Sequence, residues 1–210
     1  MIVIVDYGMG NLESVRNALA AIGCRSEISA DASALKNCTA LVLPGVGAFG
    51  DAMKNLRATG LDRILSEQVL SRRKPFLGIC LGLQLLAEKG FEHGENAGLG
   101  WIKGEVVRLP ETTSENPILR IPHIGWNDVH LSPSSPLSQG LKASSAFYFV
   151  HSYCFNVENA DVVSGWCEYG LRFPAIIESD NISATQFHPE KSHKDGLKLL
   201  RNWAAKNCLC

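Results

Sequence analysis

Gly78-Ile79-Cys80-Leu81-Gly82 sets one cysteine between two glycines. The apolar run Pro75-Phe76-Leu77 precedes it, and the helical pattern Leu81-Gly82-Leu83-Gln84-Leu85-Leu86-Ala87-Glu88 follows. Strand, tight turn and helix in that order describe a nucleophile elbow, in which a strained turn carries the attacking atom. The glycines suit such a turn, because it needs backbone shapes and close approaches that a Cβ forbids. The helix after the turn points free N–H groups and its positive end at the sulfur, which stabilises a thiolate. The pentapeptide equally fits a cysteine in a core strand, since free cysteines are often buried. The rest of the chain has to separate the two readings.

Upstream of the elbow, strand and helix patterns alternate. Ile2–Val5 is a continuous apolar run, as expected of a strand buried on both faces. The glycine-rich turn Gly8-Met9-Gly10-Asn11 follows, with Asn11 placed to cap a helix carrying Leu12, Val15, Leu19 and Ile22 at helical spacing and stopped by Gly23. Arg25–Ser29 and Ala40–Leu43 read as strands, Asp51–Arg57 and Leu61–Ser71 as helices, and Phe76–Ile79 as the strand entering the elbow. This alternation implies a parallel sheet with helices on both faces.

Downstream the pattern changes to short alternating strands at Lys103–Arg108, Asn127–His130, Phe147–Tyr153, Val162–Glu168, Ala175–Ser179 and Ser183–Phe187. Ser179-Asp180-Asn181 reads as a hairpin turn, and Leu197, Leu200, Trp203 and Ala204 share one face of a closing helix. Glu111–Pro122 and Ser132–Gly140 are polar surface loops. The expectation is one α/β domain over residues 1–210, its mostly parallel sheet prolonged by an antiparallel extension.

A chain of 210 residues can bury a sufficient core without a staple or a metal. Its net charge of −1 gives no footprint for nucleic acid or an anionic membrane. The N-terminal apolar run is too short for a signal peptide, and no stretch nears the roughly 20 apolar residues of a transmembrane helix. The seven cysteines are scattered, without zinc-ligand spacing, so free thiols in a reducing cytoplasm and no metal are expected. Cys208 and Cys210 fall in the C-terminal tail and receive no role.

A cysteine nucleophile needs a base to hold its proton, and a carboxylate usually orients that base. His188-Pro189-Glu190 offers both directly after an apolar strand, with the two side chains spaced to share a face. His93, His123, His130 and His193 sit in a loop, after a proline, on a half-exposed strand and at a helix start, and make poorer bases. Acyl transfer also needs donors for an oxyanion. The Leu81 N–H is one candidate, and the loop Gly45-Val46-Gly47 after its strand is a second; that loop equally fits an ordinary strand-to-helix turn.

Taken together, Gly78–Gln84 and Gln186-Phe187-His188-Pro189-Glu190 resemble the class I (triad) glutamine amidotransferases. The resemblance implies a flavodoxin-like three-layer α/β fold, a Cys80–His188–Glu190 triad acting through a thioester, no cofactor, and L-glutamine as substrate held by Gln84. Asp6–Asn11, Pro44–Gly50, Pro122–Asn127 and Tyr148–Tyr153 look like the branch serving imidazole glycerol phosphate synthase in histidine biosynthesis. That branch implies a separate (β/α)8 cyclase subunit as heterodimer partner, receiving ammonia in the cytoplasm. It implies that Gly45–Gly47 flips to complete the oxyanion site, and that Glu92, His151, Ser152 and Tyr153 belong to the glutamine site. Asn11, Trp126, Tyr148 and Lys191 match positions near the cyclase face. The nearest rivals are another triad glutaminase, as in pyridoxal phosphate synthase, and a free-standing cysteine hydrolase.

Overall fold

Every residue of Ile2–Val5, Ala40–Gly45 and Phe76–Cys80 is buried, as parallel strands covered on both faces require. The computed structural model describes residues 1–112 and 119–210. The first half runs β1 (Ile2–Val5), α1 (Leu12–Ala21), β2 (Ser26–Ser29), α2 (Ala32–Asn37), β3 (Ala40–Gly45), α3 (Phe49–Thr59) and α4 (Leu61–Ser66). After a π-helical turn at Glu67–Ser71, β4 (Phe76–Cys80) leads into a single helical turn, α5 (Leu81–Gln84). Three strands follow, β5 (Lys89–Gly90), β6 (Asn96–Ala97) and β7 (Gly104–Arg108). The remainder is β8 (His123–Leu131), β9 (Ser144–His151), β10 (Tyr153–Val157), β11 (Val163–Glu168), β12 (Arg172–Ser179), β13 (Ile182–Thr185) and α6 (His193–Lys206).

A nine-stranded sheet has the order β2-β1-β3-β4-β13-β12-β11-β8-β9. Its first five strands are parallel and the rest are joined antiparallel, so the expected extension continues the same sheet. Alternate residues of β1 serve different cores. Ile2 and Ile4 cluster with Val15 and Leu19 of α1 and with Leu199, Leu200 and Trp203 of α6. Val3 and Val5 cluster with Met53 and Leu56 of α3 and with Leu61 and Leu65 of α4. Helix, sheet and helix are therefore three layers. Asn11 caps α1 as expected, its side chain accepting the Ser14 N–H at 3.2 Å, an interaction worth about 1 kcal/mol.

Several expectations need correcting. The helix predicted through Glu88 stops at Gln84, because the next carbonyls have other partners. Leu85 accepts Leu99 N–H, Leu86 accepts those of Trp101 and Ile102, and Ala87 accepts that of Gly100. Residues 147–153 do not form one strand: β9 ends at His151 and β10 pairs with β7 in a separate four-stranded sheet, order β10-β7-β5-β6. The predicted strand at 127–130 begins earlier, at His123. The thiols are not all free, since Cys24 and Cys210 form a disulfide with Cα atoms 5.1 Å apart. Docking of α6 beside α1 folds the tail back onto the segment before β2. The Glu111–Pro122 loop lies partly outside the described residues, at 113–118.

Candidate active site

Cys80 ends β4 with φ 55° and ψ −106°, a backbone shape that only a tightly determined turn imposes on a residue with a Cβ. The flanking glycines show what determines it. A Cβ on Gly82 would fall on the Leu43 carbonyl oxygen, and one on Gly78 would stand 2.7 Å from the Gly82 carbonyl oxygen. The elbow thus requires α5 to lie directly on β3.

Strand register brings the remaining groups to the same edge. Gly45 pairs with Cys80 and Thr185 with Ile79, so β3, β4 and β13 end side by side. Their following loops carry Val46-Gly47, α5 and residues 186–190, at the carboxyl ends of parallel strands where open α/β sheets place ligands. Gly45 has no room for a side chain, because its Cβ would meet the Tyr7 hydroxyl. That hydroxyl is buried without a hydrogen-bond partner among the described residues. Burial, and secondarily the charge of Cys80, push its pKa above the usual phenol range.

A cavity of about 450 Å³ opens here. Cys80, Leu81, Gln84 and the loop residues Val46 and Gly47 line it. Glu92, His93, His151, Ser152 and Tyr153 line it as well. Gln84 donates from Nε2 to the Tyr153 carbonyl at 2.8 Å. The Glu92 carboxylate accepts the Phe49 N–H at 2.8 Å, so it also caps α3.

His188 is buried behind the sulfur, with Nδ1 2.7 Å from Oε1 of an equally buried Glu190. Its backbone is clamped: His188 N–H donates to the Tyr148 carbonyl, while the Ser192 hydroxyl donates to the His188 carbonyl and accepts the Tyr148 N–H. Burial disfavours the imidazolium, but Cys80 and then Glu190 outweigh it and push the pKa up to about 10. Burial drives the Cys154 and Cys167 thiols up to about 12, which makes them poor nucleophiles.

The Glutamine amidotransferase class-I family model matches residues 3–207. The chain belongs to the class-I glutamine amidotransferase family. Imidazole glycerol phosphate synthase subunit HisH of Aquifex aeolicus is 51% identical over 205 residues, covering 97% of this chain and 96% of that protein. Subunit HisH 1 of Campylobacter jejuni is 48% identical over 204 residues, covering 97% and 99%. A solved glutamine amidotransferase superposes with a TM-score of 0.75 at 21% identity, covering 99% of this chain and all of the other. PurLQS of Thermotoga maritima gives 0.74 at 18% identity, covering 98% and 97%. These two likenesses establish the class I amidotransferase fold, the mixed α/β sheet with helices on its faces.

In this amidotransferase the four residues expected near a partner lie outside the cavity. Trp126 is 47% exposed and stacks on His193 at 4.9 Å, with the Tyr148 ring 6.2 Å away and Lys191 Nζ above Tyr148 at 6.0 Å. Asn11 caps α1, next to Gly10, where an added Cβ would stand 3.5 Å from the Gly45 Cα. Sequence reasoning passed over Gln186, whose Nε2 lies 3.8 Å from Cys80 Sγ, and over the pairing of His123 with His151 at 3.0 Å. A glutamine set inside the run 182–187, read as a buried strand, was the available signal.

The raised pKa of His188 gives a stability signature. Native His188 keeps its proton between its unfolded value of 6.5 and about 10, whereas the unfolded chain releases it. The native state binds more protons in that window, so this contribution is full below pH 6.5 and disappears as pH rises towards 10. Urea midpoints at pH 6, 8 and 10 are expected to fall more steeply for wild type than for Cys80→Ala, which lacks the largest raising group. Parallel pH dependences would refute that linkage.

Proposed function

We propose that this chain is the glutaminase subunit of imidazole glycerol phosphate synthase, residues 1–210 forming one amidotransferase domain. It hydrolyses L-glutamine to glutamate and supplies the ammonia to a cyclase subunit, which makes imidazole glycerol phosphate and AICAR in histidine biosynthesis. The observation that carries the chemistry is Cys80, strained at the wall of a cavity with the buried His188–Glu190 pair behind it. The branch rests on the likeness to two HisH proteins across nearly the whole chain.

His188, oriented by Glu190, holds the proton taken from Cys80 before substrate binds, and the thiolate attacks the side-chain carbonyl carbon of glutamine. The resulting oxyanion takes a hydrogen bond from Leu81 N–H and a second from the Gly45–Gly47 loop. Collapse breaks the C–N bond, and His188 returns the proton to the departing ammonia. A water deprotonated by His188 then cleaves the thioester, releasing glutamate and restoring the thiol. Gln84, Glu92 and the His151–Tyr153 segment hold the substrate, while Asn11, Trp126, Tyr148 and Lys191 face the partner.

The partner is a (β/α)8 cyclase, forming a heterodimer in the cytoplasm. Among the described residues no helix is long and apolar enough to cross a membrane. Loss of one oxyanion donor costs on the order of 10²–10³ in rate, so a loop that turns its N–H inward only when the partner is occupied would keep the free subunit quiet. Glutamate release is measured with the chain alone, with the cyclase subunit, and with cyclase plus its ribonucleotide ligand. At least a hundredfold activation by the ligand-bound partner is expected. Steady hydrolysis by the free chain, indifferent to the cyclase, would reject the coupled reading.

A further inference from the structure

We propose that Gln186 is a further catalytic residue, donating a hydrogen bond to the Cys80 sulfur in an orientation enforced by Gln84, whose own amide is oriented by the Tyr153 carbonyl. The inference rests on reading Cys80 as the glutaminase nucleophile.

Gln186 is wholly buried just beyond β13, with one end of its carboxamide 3.8 Å from Sγ. Which end faces the sulfur follows from its neighbours. The Tyr153 carbonyl oxygen can only accept, so the Gln84 atom 2.8 Å from it must be the amide nitrogen. That nitrogen also lies 3.1 Å from the other end of the Gln186 carboxamide, which must then be the oxygen. The N–H groups of Gln186 are left facing Cys80. A flipped amide would set a lone pair against the thiolate and break the contact with Gln84.

The Tyr153 carbonyl is itself held from the opposite side. His151 Nδ1 is 2.8 Å from it and therefore carries a hydrogen. In a neutral ring Nε2 is then an acceptor, and it lies 3.0 Å from Nδ1 of His123, its cross-strand partner in the β8–β9 register. His123 Nε2 accepts in turn from the Asn127 amide at 3.2 Å. Asn127 has its other amide hydrogen on the Glu168 carbonyl and its oxygen on the Asp128 N–H, which excludes a flip. The donors run inward from a half-buried amide on β8 as far as the Tyr153 carbonyl, where His151 and Gln84 both donate to the one oxygen and hold it in place.

Burial keeps both rings neutral, lowering His123 to about 4 and His151 to about 3. Stacking of His123 on Tyr169 and Phe149, at 3.9 and 4.8 Å, fixes its plane. The titratable groups facing the sulfur are His188 and Tyr7, with Glu190 and His151 next to His188. None of them provides a neutral, permanently oriented N–H, and Gln186 does. A donor to the charged form favours that form, so Gln186 holds the thiolate while glutamine binds.

Site-resolved alkylation of Cys80 by iodoacetamide, followed by mass spectrometry across pH, reads this directly. Gln186→Glu and Gln186→Met remove the donor at similar volume, and Asn127→Ala, at a side chain only half buried, loosens the His123–His151 clamp on the Tyr153 carbonyl that positions Gln84. In the Gln186 variants the alkylation profile is expected to move about one unit to higher pH, a roughly tenfold loss of rate at neutral pH. In the cyclase complex, kcat for glutamine should fall by a similar factor with KM little changed. Asn127→Ala should shift the profile in the same direction by less, and it carries the test if the Gln186 variants do not fold. Unchanged profiles in variants that melt like wild type would overturn the proposal. Wild-type protein that neither alkylates at Cys80 nor hydrolyses glutamine would instead overturn the nucleophile assignment.

Discussion

Cys80→Ala is expected to abolish glutamine hydrolysis while leaving ammonia-driven synthesis by the cyclase complex intact. The substitution removes one sulfur and keeps the Cβ, so the backbone at φ 55° meets no new steric demand. Among the described residues, what disappears is the only thiol lining the cavity, since Cys154 and Cys167 are buried elsewhere with raised pKa values. His188 and Glu190 cannot replace it: without a thioester the imidazole has only water to activate, at an unactivated amide. Residues of such a unit act together, and loss of the nucleophile costs on the order of 10⁴-fold or more. Ammonia added to the medium bypasses the whole step, so the partner's reaction should run at its wild-type rate. Glutamine-dependent synthesis surviving in Cys80→Ala would remove Cys80 from the mechanism.

The elements legible beforehand are those whose physics is local. Buried parallel strands are continuous apolar runs, so β1, β3 and β4 could be read directly, and the glycines around Cys80 announced the turn that the backbone angles display. The His188–Glu190 pair was legible because two residues apart on an extended segment share a face. Long-range pairings were not. The end of α5 at Gln84 depends on carbonyls taken by residues 99–102, and the break at Ser152 depends on β10 finding β7 in another sheet. His123 looked like an inferior base because it followed a proline. Its position became meaningful only once the register set it opposite His151 and the donors could be assigned. The Cys24–Cys210 disulfide joins positions 186 residues apart, and no spacing rule reports that the tail folds back.

Gly82→Ala tests whether the elbow needs the contact between α5 and β3. The added methyl has nowhere to go, since its position coincides with the carbonyl oxygen of Leu43, a buried part of the β3 backbone. A flexible side chain could move aside, but this carbonyl sits in a strand paired on both edges, with β1 and with β4. The strain therefore falls on α5, which must lift away from the sheet and carry Leu81 N–H and Gln84 with it. Overpacking of this kind costs roughly 3 kcal/mol, and displacement of reacting groups by about 1 Å can cost on the order of 10² in rate. Gly60→Ala is the matched control, because Gly60 has φ +72° but nothing within 4 Å of the added carbon. It should lose only the left-handed backbone penalty of about 1 kcal/mol and keep its glutaminase activity. Urea unfolding and coupled glutaminase assays on both variants separate the contributions. Equal stability losses, with activity retained in Gly82→Ala, would show that the turn does not depend on this contact.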